Sequence, residues 1–193
     1  MIAGLLLAAG AGRRMGQPKA LVRGEDGVRW VRRSAQALLD GGCQPVLAVL
    51  GAAAEEAQAE LPDRVAAVIA PDWAEGMGAS LRAGLSALAG IPATAVLISL
   101  VDTPGVNPAI VHRLREVAGE DESVLLRADY GTGPAHPVVI GRAHWAEAAR
   151  VATGDRGARA LLAGDGVRLI GCADLGDGAD IDHPQAGIDT RNE

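Results

Sequence analysis

A chain of 193 residues that is 49% hydrophobic and 22% charged has the bulk for one substantial core and is not a disordered composition. Its formal net charge of −6 supplies no excess of cations to replace counterions, which argues against nucleic-acid binding. Its apolar runs are too short for a bilayer and no basic segment precedes the first of them, so neither a membrane span nor a signal peptide is expected and the cytoplasm is the expected compartment.

In chain order, apolar runs alternate with helical patterns. Strands are expected at 2–9, 45–50, 65–70, 95–101, 123–128, 137–140 and 167–172. Helices are expected at 28–40, 53–61, 79–89, 107–118, 142–151 and 156–163. This alternation predicts an α/β fold, a Rossmann-like three-layer sandwich on a mostly parallel sheet. No repeat or linker divides it, so residues 1–193 read as a single domain. With no phenylalanine and one tyrosine, alanine, leucine and valine must build the core. Cys43 and Cys172 lack metal-motif spacing and read as buried apolar residues in a reducing compartment. In an open sheet of this kind ligands bind beyond the carboxyl ends of the strands. The loops after residues 9, 70, 101, 128 and 172 should therefore face one cleft.

The first of those loops is the most informative. Lys19 is the only lysine in a chain that otherwise uses arginine. A compact, flexible point charge in a loop holding Gly10, Gly12 and Gly16 suits a phosphate chain cradled by backbone N–H groups. The Walker spacing is absent, and Met15 stands where the dinucleotide fingerprint needs its third glycine. Pro18 favours an extended residue before it. An ordinary strand-to-helix turn with solvated arginines is the alternative reading of the glycines alone.

Ala8-Ala9-Gly10-x-Gly12-Arg13-Arg14-Met15-Gly16-x-Pro18-Lys19 resembles the signature loop of the nucleotidyltransferases that use nucleoside triphosphates. The double alanine is more similar to the molybdenum-cofactor cytidylyltransferase branch than to the guanylyltransferase branch. Further matches follow in family order: Trp73 to Leu85, Asp102 with Pro104, His136-Pro137-Val138, Gly154 to Arg159, and Asp180-Ile181-Asp182. The fold implied is of the nucleotide-diphospho-sugar transferase type, with an antiparallel insertion near 137–140.

The resemblance implies a division of labour. Ala8, Ala9, Gly10, Gly12, Arg13, Lys19, Gly78 and Ser80 would hold the nucleotide, and Lys19, Arg13 and Asp102 would serve catalysis. Asp102, at the tip of a buried strand, and Asp182 would hold magnesium, which suits one or two carboxylates plus phosphates. His136, Asp155 and Arg156 would lie on the acceptor side. Each has a plainer alternative: Asp102, Ser80 and Asp155 as helix caps, Asp182 as a solvated turn, His136 as a structural histidine. Here the chain has Asp102-Thr103-Pro104 where the family usually has glutamine in the middle, and Ala135 where it more often has glycine.

The implied reaction moves CMP from CTP to the terminal phosphate of a molybdenum-pterin cofactor, with a molybdenum hydroxylase apoenzyme as the implied recipient. Transfer to a sugar or polyol phosphate is a second reading. A non-catalytic carrier of the finished cofactor is a third. As a loop residue beside solvent, Lys19 is expected to contribute little to stability.

Overall fold

The apolar run at the amino end has no polar side chain to offer water, and β1 (Ile2–Leu7) is buried along its whole length. The computed structural model describes residues 1–183. After β1 come β2 (Val46–Leu50), β3 (Val65–Ile69), β4 (Ala95–Leu100), β5 (Leu125–Asp129), β6 (Pro134–Gly141) and β7 (Arg168–Gly171). They form one seven-stranded sheet in the order β3-β2-β1-β4-β6-β5-β7. β6 runs antiparallel to both β4 and β5, and the other pairings are parallel.

Alternation along β1 divides its side chains between two cores. Ile2, Leu6 and Ala8 enter one, and Ala3, Leu5 and Leu7 enter the other. The first core is covered by α1 (Trp30–Asp40), α2 (Ala54–Ala59) and α4 (Pro108–Ala118), through Trp30, Leu38, Ala57, Ile110 and Leu114. The second is covered by α3 (Met77–Leu88) and α5 (Trp145–Val151), through Leu81, Leu85, Trp145 and Ala148. Burial of one stripe per helix is what makes each helix stable in this context. The result is the expected α/β three-layer sandwich with its antiparallel strand.

Local chemistry sets the boundaries. Asn107 caps α4, its Oδ1 accepting from Ala109 N–H at 3.0 Å and Ile110 N–H at 3.2 Å, with Pro108 in the first turn. α3 begins at Met77, two residues before the expected position, because Gly76 at φ 115° breaks the preceding turn. The helix expected over 156–163 does not form. Two 3-10 turns, Gly154–Arg156 and Leu161–Ala163, stand there instead. Gly157, at φ 50° between them, interrupts the helical path. β6 starts at Pro134 rather than 137, and its pairing with β5 shifts register between Arg127 and Ala128. Among the described residues, no helix is long and apolar enough to cross a membrane.

Candidate active site

The strand order changes direction between β1 and β4: β2 and β3 lie on one side of β1, β4 on the other. Such a switch point opens a crevice at the strands' carboxyl ends. The loop leaving β1 turns sharply at Gly12, whose φ is 59° and whose carbonyl accepts from the N–H groups of Met15 and Gly16 at 2.9 Å each. A Cβ on Gly12 would lie 1.9 Å from the Gln17 carbonyl oxygen, so only glycine fits. Met15, 1% exposed, pins the loop to the core. Ala20 and Leu21, both buried, anchor the 3-10 turn that begins at Lys19.

With its backbone held this way, Lys19 reaches across the crevice. Its Nζ donates to Asp102 Oδ2 at 2.8 Å and to Asp182 Oδ1 at 2.6 Å. Arg14 Nη2 lies 2.9 Å from Asp182 Oδ2. Asp102 follows β4, and its carbonyl accepts from Ile181 N–H at 2.8 Å, which sets the segment carrying Asp182 beside it. Burial works against the Lys19 charge, but the hydrogen bonds and charges of both aspartates outweigh it and raise its pKa. The Lys19 hydrogen bond, against a smaller burial effect, lowers the pKa of Asp182. The Lys19 side chain is 14% exposed, so it is a half-buried member of a charge cluster and not the solvated loop residue expected from sequence.

Two cavities meet at this cluster. One, of about 410 Å³, is lined by residues 9–14, Trp73, Gly76, Met77 and Ser80. The other, of about 600 Å³, is lined by Arg127, residues 134–136, residues 155–159 and Asp180. Lys19, Asp102, Asp182, Arg14 and Asp155 belong to the walls of both. The antiparallel β6 explains the second cavity: its amino end, with His136, lies beside the carboxyl ends of its neighbours. Burial, together with the Arg127 charge, holds the His136 imidazole down to about 4, against the Ile98 backbone contact and nearby aspartates. Its Nδ1 lies 3.5 Å from the Ile98 carbonyl oxygen, which can only accept, favouring the Nδ1–H tautomer.

The structure brings most of the expected residues to this cleft, and its plainer alternatives for several fall away. Asp102 caps nothing, since Asn107 fills that role. Asp155 and Ser80 cap no helix, as neither turn nor α3 receives a side-chain cap. Ser80 and Arg13 line the first cavity. Asp155, His136 and Arg156 line the second. Two expected nucleotide residues do not line the cleft. Ala8, 1% exposed, points into the core. Gly78 packs on Ala152, where an added Cβ would lie 2.7 Å from backbone carbon. Gly10 lines the first cavity but, unlike Gly12 and Gly16, has no positive φ. Sequence reasoning missed Arg127 altogether and gave Arg14 and Arg159 no role. A strand arginine flanked by Leu125, Leu126 and Ala128 was the available signal for Arg127.

Known proteins resemble this chain over most of its length. Residues 4–169 match the MobA-like NTP transferase domain. The chain is 37% identical over 194 residues to a nicotine blue oxidoreductase of Paenarthrobacter nicotinovorans, covering 94% of this chain and 92% of that one. It is 35% identical over 176 residues to a molybdenum cofactor guanylyltransferase of Rhodobacter capsulatus, covering 87% and 78%. Among solved structures it is similar to Rv0371c from Mycobacterium tuberculosis H37Rv, at a TM-score of 0.80 and 30% identity over 94% of this chain and 92% of that one. A manganese complex of Rv0371c is also similar, at a TM-score of 0.73 and 28% identity over 88% and 87%. The matched span takes in both the lysine loop and the Asp102 strand end, and the chain belongs to the MobA-like NTP transferase domain family, a nucleotidyltransferase by family.

Proposed function

We propose that this chain is a magnesium-dependent transferase that moves CMP from CTP to the terminal phosphate of a molybdenum-pterin cofactor and releases pyrophosphate. The observation that carries the reading is the pair of cavities sharing one wall of Lys19, Asp102 and Asp182. A transfer between two substrates needs two chambers meeting at the reacting phosphorus. In this reading the triphosphate lies along residues 9–14, and the acceptor enters past His136 and Arg156.

The acceptor's phosphate oxygen attacks the α-phosphorus in line. The bond from that phosphorus to the bridging oxygen breaks, and the electron pair leaves with pyrophosphate. A phosphate acceptor is already ionised near neutral pH, so the site needs no strong general base. Lys19 and Arg13 would meet the charge that grows on the leaving group, an effect made stronger by partial burial. Asp102 Oδ1 is buried and has no hydrogen-bond partner, the state expected of an oxygen that has a cation to meet. Asp102 and Asp182 would hold magnesium, with phosphate oxygens and water completing its shell, since the described residues contain no group of three or more His, Cys, Asp or Glu that could hold a metal alone. When bound, the ion would neutralise phosphate charge and align the substrate.

The preference for CTP rests on the Ala8-Ala9-Gly10 form of the loop, of which Ala9 and Gly10 line the first cavity while Ala8 packs in the core. The cytoplasm as compartment is supported by two buried cysteines that form no disulfide. The test is a pyrophosphate-release screen of CTP, GTP, ATP and UTP against a panel of phosphorylated acceptors. CTP with the molybdenum-pterin acceptor should give the highest kcat/KM. Release with a sugar or polyol phosphate alone would change the acceptor and keep the class.

One similarity favours a second reading: the relative at 37% identity carries an oxidoreductase name. Met15 occupies the third-glycine position of the dinucleotide fingerprint, which supports the transferase reading. A change in the redox state of nicotine blue, without pyrophosphate release, would favour the oxidoreductase instead.

A further inference from the structure

The charges around the second cavity do not all cancel. Lys19 and Arg14 are engaged by Asp102 and Asp182. Arg127 and Arg159, on the same cavity wall, have no carboxylate partner among the described residues. Arg127 projects from β5 at the register shift against β6, a kind of irregularity that re-aims side chains. It donates from Nη2 to the Pro134 carbonyl at 3.0 Å and from Nη1 to the Leu162 carbonyl at 3.4 Å. Its Nε is buried and bonded to nothing. Burial and the Arg159 charge both press the Arg127 pKa downward, so the two guanidiniums feel each other. Asp155 and Asp180 line the same cavity, but neither lies within ion-pair distance of Arg127 or Arg159, and packing alone gives no reason to set two cations on one cavity wall without a direct partner.

We propose that Arg127 and Arg159 form a seat for a second anionic group of the acceptor, a compact oxyanion distinct from the phosphate that attacks. The inference rests on the transferase reading for the identity of the ligand, but the seat itself is a property of the cavity. β6 lies between β4 and β5, so about 10 Å, two interstrand spacings, separates β4, which Asp102 follows, from the strand bearing Arg127. The acceptor class is therefore a molecule with a reactive phosphate at one end and a second oxyanion, such as a metal-oxo or carboxylate group, toward the other. Planar guanidiniums suit such a group because their paired N–H donors match its oxygens.

Molybdate is the probe, titrated calorimetrically into the protein without nucleotide. The parent should bind it, and Arg159→Gln should weaken binding at least tenfold with an unchanged melting temperature. Arg127→Lys, which keeps the charge and loses the fork, should also weaken it, and guards against a folding failure of Arg127→Gln. In turnover, both variants should raise KM for the acceptor about tenfold while leaving KM for CTP unchanged. Molybdate binding that is unaffected in Arg159→Gln and Arg127→Lys, or that is lost only in Lys19→Ala, overturns the seat. If no nucleotide and acceptor give pyrophosphate but the arginine variants still lose molybdate, the transferase reading fails and the seat stands.

Discussion

Lys19 sits where a cation is wanted by two carboxylates, and that contact has an energetic consequence. An ammonium at 2.8 and 2.6 Å from Asp102 and Asp182 competes with any divalent ion for the charge of the same two carboxylates. Triphosphate binding relieves the competition by offering Lys19 phosphate oxygens instead. Lys19→Met should therefore bind manganese more tightly than the parent in the absence of nucleotide, by roughly an order of magnitude in Kd, read by electron paramagnetic resonance of free manganese. The same substitution should cut turnover by a factor on the order of a hundred to a thousand, the scale of one lost transition-state donor. Lys19→Ala should also cost about 1 kcal/mol of stability, since it leaves two carboxylates facing each other, relieved by their partial exposure. His136 supplies a pH signature. Its folded pKa of about 4 lies below its usual 6.5, so the unfolded chain binds more protons between those values. The stability it contributes is full above about pH 6.5 and is lost as pH falls toward about 4. The stability of His136→Gln, followed by melting at each pH, should show a flatter slope across that window than the parent, the difference amounting to about 3 kcal/mol at most.

At the level of elements, the site is made by contacts between segments far apart in the chain. The 152–155 segment is fastened to α3 by Arg82, whose Nη1 donates to the Ala152 carbonyl at 2.6 Å and whose Nη2 meets Glu75 at 3.0 Å. Gly78 allows that approach. Gly78→Ala would gain about 1 kcal/mol of helix propensity, but its Cβ would meet the Ala152 carbonyl carbon at 2.7 Å, and overpacking against backbone costs about 1–3 kcal/mol. The net should be destabilising, with KM for the nucleotide raised because α3 and its Ser80 shift. A melting temperature at or above the parent's would show that the segment moves freely. Strand ends and most helices were legible because burial patterns are local: β1, β2 and β4 match the expected runs to within two residues. The span 156–163 was not, because its alanine-rich composition reads as helix while Gly157 at φ 50° prevents one.

Over the whole molecule, the topology decides what the sequence could and could not disclose. The lysine loop, the Trp73 block and Asp102 named the cleft because they follow β1, β3 and β4, and the sheet gathers those strand ends together, whereas His136 lies within β6 and Gly154 to Arg159 follow α5. The pairing of Lys19 with residues 83 and 163 positions away was invisible, since nothing local marks such a partner. Arg127 was invisible for the same reason: its meaning comes from β6 folding back beside β5. The shared wall of Lys19, Asp102 and Asp182 is expected to join two substrates in one reaction. Pyrophosphate release with CTP, magnesium and the molybdenum-pterin acceptor, compared between the parent and Asp102→Asn, measures this most directly. Release that requires both substrates, and that drops at least about a hundredfold in Asp102→Asn, is the expected result. Release in Asp102→Asn equal to the parent's, or no release from the parent with any nucleoside triphosphate and acceptor, would contradict it.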